Sequence, residues 1–178
     1  SVDTTMGLTP LEGLIMGTRS GDLDPTVVSY LGNKKGMTAD EVVSYLNKQC
    51  GILGVSGVSS DMRELNSAIE QGNARARLAL DMLIYRVKKF IGSYMAVLGR
   101  VDAITFTGGI GENQEDLREG SLEDMEIYGI EIDKEKNNHL PRGTTEEIST
   151  PNSKVKVYRI PTDEELLIAR DTKALITK

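Results

Sequence analysis

Apolar residues recur every three or four positions at Ala76, Leu80, Leu83, Ile84, Val87, Ile91, Met95 and Leu98. That period draws one wide apolar face and predicts a long helix from Asn73 to Leu98, stopped by Gly99. Arg77, Asp81, Arg86, Lys88 and Lys89 fall on its polar side and read as solvated, while Met82, Tyr85, Tyr94 and Met95 read as core or interface. Past the glycine, the β-branched and aromatic run Ile104-Thr105-Phe106-Thr107 predicts a buried strand. It breaks into Gly108-Gly109-Ile110-Gly111, and a helix is expected from about Gln114 to Met125. Tyr128 to Asp133 and Val155 to Ile160 alternate and read as two further strands. Helix, strand, glycine turn, helix is an α/β order.

The remaining segments are shorter. Thr9-Pro10-Leu11-Glu12 has the form of a capping box with proline at the first helical position, and predicts a helix from Pro10 to about Met16. It gives way to the polar loop Gly17-Thr18-Arg19-Ser20-Gly21-Asp22. Asp24-Pro25 starts a helix to about Leu31, Gly32 to Gly36 is a turn, and Thr38 to Glu41 is a second capping box whose helix turns Val42, Val43 and Leu46 inward. Gly51 to Val58 reads as a loop or edge segment, with a short helix beginning near Ser59 to Glu64. Lys134 to Glu147 is a polar loop with a helical turn, and Thr150-Pro151-Asn152 is a turn. Pro161-Thr162-Asp163-Glu164-Glu165 opens the last helix, with Thr162 and Glu165 as its capping box. No repeat, linker or low-complexity stretch divides the chain, so a single α/β unit is expected.

Charge narrows the classes of partner. Among 178 residues the net charge is −6 and the pI is near 4.9, which argues against a nucleic-acid footprint. No apolar run reaches the length of a membrane span and no signal-peptide pattern opens the chain, so no membrane partner is expected. Cys50 is the single cysteine; it reads as a small buried hydrophobe and is compatible with a reducing cytoplasm. His139 has no acidic or cysteine neighbour at metal-ligand spacing and reads as structural or solvated. The start at Ser1 rather than Met hints at a processed or excised piece.

Four places carry candidate chemistry, each with two readings. A strand followed by glycines is a tight βα connection, or it brings backbone N–H groups close to a nucleotide. The pattern is neither a Walker A loop nor G-x-G-x-x-G. Arg19 between two glycines is a solvated charge or a ligand contact. Asp61 and Arg63 are a surface pair, worth little, or contacts to a ligand. Asp163, Glu164 and Glu165 stabilise a helix start by about 0.3–1 kcal/mol per charge, or hold Mg²⁺ near a phosphate.

Three motifs carry a family resemblance. Thr9-Pro10-Leu11-Glu12-Gly13-Leu14 with Met16-Gly17-Thr18-Arg19-Ser20-Gly21-Asp22 resembles a signature of the acetate kinase family. Phe106-Thr107-Gly108-Gly109-Ile110-Gly111-Glu112-Asn113 is similar to its adenosine-side loop. Ile160-Pro161-Thr162-Asp163-Glu164-Glu165-Leu166, followed by Ile168-Ala169-Arg170-Asp171-Thr172, is similar to its C-terminal motif. The resemblance runs the whole length, with the motifs in the family's order.

The resemblance implies the C-terminal lobe of the actin/hexokinase-like (ribonuclease H-like) two-lobed kinase fold, a mixed sheet flanked by helices. The whole of residues 1–178 would be its nucleotide-binding and dimerisation lobe. The N-terminal lobe, with the acetate pocket, the catalytic aspartate, two active-site histidines and most of the phosphate loop, would lie before Ser1. The implied reaction is Mg²⁺- or Mn²⁺-dependent phosphoryl transfer between ATP and acetate, giving acetyl phosphate and ADP, in the cytoplasm. The lobe alone is expected to be inactive. Arg19 resembles the arginine that stabilises the transferring phosphoryl group; a guanidinium fork suits two of its oxygens. Asp61, Met62 and Arg63 resemble a nucleotide-contacting Asp-x-Arg element in which the family usually has Phe where Met62 stands. Gly109, Ile110, Gly111, Glu112 and Asn113 resemble the loop around ribose and adenine, and Glu164 the glutamate associated with Mg²⁺. The long helix belongs to the lobe through which family members pair as homodimers. A propionate or butyrate kinase would share these motifs, and a stand-alone nucleotide-binding or dimerisation module is the non-enzymatic alternative.

Overall fold

The computed structural model describes residues 1–177 and divides the chain into two compact units, Ser1 to Arg100 and Val101 onward. The sequence predicts one α/β unit, whereas among the described residues every strand lies in the second unit and the first is helical. The break falls just after Gly99, the positive-φ glycine (φ 69°) at which the long helix ends.

The first unit contains α1 (Thr26–Lys35), α2 (Ala39–Lys48), α3 (Gly51–Ser56), α4 (Met62–Glu70) and α5 (Ala74–Leu98). Side-chain caps fix three of the starts. At α2 the Thr38 hydroxyl accepts from Glu41 N at 3.3 Å and the Glu41 carboxylate accepts from Thr38 N at 2.7 Å, the expected capping box. Asp61 caps α4, and Asn73 caps α5 by accepting from Arg75 N and Ala76 N. The core joins Val42 and Leu46 of α2, Ile52 of α3, Met62 and Leu65 of α4, and Ala76, Ala79, Leu80 and Leu83 of α5. The small side chains of Ala76 and Ala79 let α3 lie close along α5. The apolar stripe of α5 is buried only as far as Leu83; Leu98 is 50% exposed and Tyr85 64%.

Four predictions for this unit are corrected. Pro10 to Met16 is not a helix but a run of turns and bends. Gly13 stands there at φ 93°, outside helical space, and its N–H is taken by Asp22 Oδ1 at 2.7 Å. Gly51 to Val58 is not a loop: Gly51–Ser56 is α3, with Ile52 and Ser56 buried. The Gly32 to Gly36 turn is mostly helix, since α1 runs to Lys35 before Gly36 caps it at φ 66°. Cys50 is half-buried, and burial raises its thiol pKa.

The second unit contains β1 (Ala103–Phe106), α6 (Gly108–Asn113), α7 (Glu115–Leu122), a 3-10 turn at Glu126–Tyr128, α8 (Lys134–Asn138), β2 (Glu146–Glu147), β3 (Lys156–Arg159) and α9 (Glu164–Ile176). The three strands form one mixed sheet in the order β1-β3-β2. β1 runs parallel to β3, with Ile104 opposite Val157 and Phe106 opposite Arg159, and β2 runs antiparallel to β3. Leu117, Leu122, Met125, Ile130, Ile148, Val155 and Val157 are buried with Phe106.

Here too the sequence reading needs correction. Only Phe106 of β1 is buried. The glycine turn is itself helical, as α6, and the helix after it is broken at Gln114 and ends at Leu122. Tyr128 to Asp133 forms a single bridge, Ile132 to Ser149, rather than a strand. The cap of α9 is Asp163, whose Oδ1 accepts from Leu166 N at 2.9 Å; Thr162 is used elsewhere.

Candidate functional site

Arg19 sits on a loop that the first unit holds from three sides. At its base, Gly13 N donates to Asp22 Oδ1 and Asp22 N donates to Gly13 O at 3.0 Å. Arg86 of α5 donates to Gly13 O at 3.1 Å and pairs with the Asp22 carboxylate, which ties the base to the long helix. Further along, Cys50 N donates to Thr18 O, Ile52 N to Met16 O and Leu53 N to Gly17 O, at 2.9 to 3.0 Å. These are the free donors at the start of α3, so the loop serves as that helix's cap. Gly51, at φ 63°, is needed here: a Cβ would lie 2.1 Å from Met16 O. On the third side, Ser20 N donates to Leu46 O at 3.0 Å and the Thr18 hydroxyl to Asn47 O at 2.8 Å, filling carbonyls at the end of α2. The half-buried Arg19 side chain donates through Nε to Asn47 Oδ1 at 3.3 Å, and Nη1 stands 3.7 Å from Met16 Sδ.

Asp61 and Arg63 lie close to this loop. A Cβ on Gly17 would stand 3.1 Å from Ser60 O, so the Arg19 loop runs against the residue preceding Asp61. The Asp61 carboxylate accepts twice from the Arg63 guanidinium, at 3.1 Å from Nε and 2.6 Å from Nη2, and once from Arg63 N at 2.8 Å. These bonds from Arg63 hold the Asp61 carboxyl well below its usual value of 3.8, at about 2. The rest of Arg63 is exposed. Met62 is turned into the core of the unit and is 9% exposed.

The second unit gathers the other two motifs. The Thr162 hydroxyl accepts from Gly108 N at 2.9 Å and lies 2.6 Å from the Thr107 hydroxyl. Thr162 N in turn donates to Glu112 Oε1 at 2.8 Å. The glycine motif and the segment leading into α9 are therefore one piece of structure, joined through residues 50 to 55 positions apart. Within α6, Asn113 Nδ2 donates to Gly109 O at 2.8 Å. Among the described residues nothing lies within 4 Å of a Cβ built on Gly109, so that face of the turn is open, whereas on Gly111 it would stand 3.3 Å from the Phe106 backbone. Beneath α6, the buried Arg118 donates to Gly111 O at 2.9 Å and Glu112 O at 3.0 Å, which are free carbonyls at that helix's end. Its other donors reach Asn137 Oδ1 at 2.7 Å and Asn137 O at 3.1 Å. Burial lowers the Arg118 pKa, the Glu115 carboxylate acts against this, and Arg159 adds to it.

Glu164 is the exposed first residue of α9. Among the described residues no group of three His, Cys, Asp or Glu side chains forms a metal cage. An exposed carboxylate is nevertheless the donor type Mg²⁺ takes when substrate phosphates and water complete its shell. His139 is exposed, its Nδ1 2.8 Å from Glu135 O. No helix among the described residues is long and apolar enough to cross a membrane.

The sequence motifs thus fall into two clusters, Arg19 with Asp61 and Arg63 in one unit and Gly109 to Asn113 with the approach to Glu164 in the other. Comparison with known proteins bears on both. The family model described as "Acetokinase family" matches residues 1–170. The chain belongs to the acetokinase family. It is 61% identical over 175 residues to an acetate kinase of Finegoldia magna, covering 97% of this chain and 43% of that protein. An acetate kinase of Caldicellulosiruptor saccharolyticus is 56% identical over 178 residues, covering all of this chain and 45% of the relative. Among solved structures, Porphyromonas gingivalis acetate kinase superposes with a TM-score of 0.90 at 50% identity, over 97% of this chain and 43% of that one. A propionate kinase from Francisella tularensis gives 0.84 at 42% identity, over 94% of this chain and 42% of that one. The chain therefore spans less than half the length of the relatives it matches.

This acetokinase-family chain also uses residues that the sequence motifs did not single out. Asn47 and Arg118 each position a motif residue by a side-chain hydrogen bond, and nothing in their local spacing signals it. Thr162 lay inside a motif but was expected to cap α9.

Proposed function

We propose that this chain is the C-terminal, nucleotide-side part of an acetate kinase, catalysing reversible phosphoryl transfer from ATP to acetate. The observation that carries this reading is the 61% identity to an acetate kinase across 175 of its residues. In this reading Arg19 clamps the transferring phosphoryl group. Its charge meets the negative charge spread over the equatorial oxygens, and its docked loop keeps the guanidinium in place before substrate arrives. Asp61 and Arg63 contact the nucleotide, with Met62 beneath them as packing. Gly109, Ile110, Gly111, Glu112 and Asn113 surround ribose and adenine. Glu164 would hold Mg²⁺ or Mn²⁺, whose charge neutralises phosphate oxygens. Residues 1–178 act as a nucleotide-binding and dimerisation lobe, with the apolar stripe of α5 beyond Leu83 as support for a homodimer contact. The cytoplasm, where ATP is held, is the compartment that follows.

The chain alone is expected to make no acetyl phosphate, because acetate binding and the remaining phosphate contacts belong to the other half of the relatives' length. A second reading, a propionate kinase, is favoured by the 42% identity to the Francisella structure. The test is hydroxamate formation from ATP with acetate, propionate or butyrate by the full polypeptide containing this sequence, beside the Arg19→Ala and Arg19→Lys variants. A turnover loss on the order of 10² to 10³ for Arg19→Ala is expected. Lysine should rescue poorly, since a point charge lacks the planar fork. Near-normal turnover in a well-folded Arg19→Ala variant removes Arg19 from the mechanism. Preference for propionate establishes the second reading.

A further inference from the structure

The Arg19 guanidinium has two edges that can grip a pair of oxygens, one made by Nε and Nη2 and one by Nη1 and Nη2. In this structure the first is turned toward protein: Nε donates to Asn47 Oδ1 at 3.3 Å. Asn47 lies in the last turn of α2, and its own amide is fixed from the other end, since Nδ2 donates to Val43 O at 2.9 Å. That bond decides which way the amide faces and leaves Oδ1 toward Arg19. The Asn47 backbone carbonyl meanwhile holds the Thr18 hydroxyl at 2.8 Å, next to Arg19 in the chain. One residue thus grips the loop and orients the side chain that the loop carries. With Nε engaged, the Nη1–Nη2 edge is left to face a ligand; among the described residues its one contact is the weak one to Met16 Sδ at 3.7 Å.

We propose that Asn47 is a positioning residue for phosphoryl transfer, holding the Arg19 side chain through Nε so that its terminal fork meets the transferring group. The proposal rests on the reading of Arg19 as the phosphoryl clamp. An arginine side chain has several rotatable bonds, and fixing it before reaction removes an ordering cost from the transition state. In this proposal Asn47 acts only through Arg19, so its loss lowers kcat while leaving nucleotide binding near normal.

The test is a double-mutant cycle in the full polypeptide, with kcat, KM for ATP and melting temperature measured for each variant. Asn47→Leu keeps the size and removes the acceptor; kcat should fall roughly 10-fold, the scale of one hydrogen bond to a charged group. KM for ATP should stay within about twofold, as expected when only transition-state contacts are lost. Asn47→Asp keeps an acceptor for Arg19 Nε but gives up the bond to Val43 O, and should retain more turnover than Asn47→Leu. In an Arg19→Ala background, Asn47→Leu should cost nothing more. If Asn47→Leu does not fold, Asn47→Ala enters the same cycle. Full turnover in Asn47→Leu, or the same fold loss with and without Arg19, overturns the proposal while leaving Arg19's role standing. Normal turnover in Arg19→Ala removes the underlying reading instead, so the two failures are told apart.

Discussion

The hydroxyl of Thr162 accepts a hydrogen bond from the backbone N–H of Gly108 at 2.9 Å, and so ties the entrance of α9 to the glycine turn after β1. The link is reinforced by the Thr107 hydroxyl and by Thr162 N on the Glu112 carboxylate. Thr162→Val keeps the shape and removes the hydroxyl, leaving Gly108 N and the Thr107 hydroxyl to find water. Because the site is exposed, the cost should be about 1 kcal/mol. Urea unfolding should read this loss, Thr162→Ser should recover most of it, and an unchanged midpoint for the valine variant would show the link to be energetically idle. In the full polypeptide KM for ATP should rise, since the turn assigned to ribose and adenine loses its tether.

That link shows where sequence reading reached its limit. Local signals were legible: the three-to-four period of α5, the Thr38–Glu41 capping box and the alternation of β3 each encode a structure formed by near neighbours. Elements built on distant partners were not. α3 is rich in glycine, and it forms because Met16, Gly17 and Thr18 supply acceptors for its first N–H groups. Tyr128 to Asp133 has a strand's alternation but spends its bonds irregularly: Glu131 N goes to the Ser153 hydroxyl at 3.0 Å and Asp133 N to Ile148 O at 2.8 Å. Pro10 has the chemistry of a helix start, but Asp22 takes Gly13 N three residues on. The motif residues of the candidate site were visible by resemblance. Asn47 and Arg118 act on them across 28 and 7 positions, through side-chain contacts that no local pattern encodes.

Asp61 offers a test by pH. Its carboxyl is held at about 2, below the usual 3.8, first by the Arg63 side chain and then by Arg63 N. A depressed carboxyl stabilises the fold above its unfolded value, and that contribution is lost as pH falls from about 3.8 through about 2. Carbon-13 NMR of the Asp61 carboxyl should therefore show a midpoint near 2. Arg63→Ala should move the midpoint upward, though the backbone bond keeps it below the usual value. A midpoint that ignores Arg63→Ala would show that the pair seen here is not populated in solution.

The two buried arginines of the second unit should respond very differently to the same change. Arg118 is 2% exposed and Arg159 3%. Arg118 supplies four hydrogen bonds to carbonyl and amide oxygens, and two of these close the end of α6. Arg118→Met would leave those buried acceptors unpaired, each at about 1–3 kcal/mol where water cannot reach. Arg159 donates through Nη2 to Pro141 O, but its buried Nε has no partner among the described residues. Its charge also opposes that of Arg118. Arg159→Met would remove one bond, an unpaired donor and a like-charge neighbour together, so part of its cost is offset. Arg118→Met should accordingly destabilise by several kcal/mol (roughly two unsatisfied groups or more) and Arg159→Met by distinctly less. Lysine should not rescue position 118, since one ammonium cannot reach acceptors on both α6 and Asn137 in the guanidinium's fixed geometry. Urea unfolding of the two variants under the same conditions checks the order. A larger loss for Arg159→Met would mean that its stem, not its hydrogen bonding, is what the core requires.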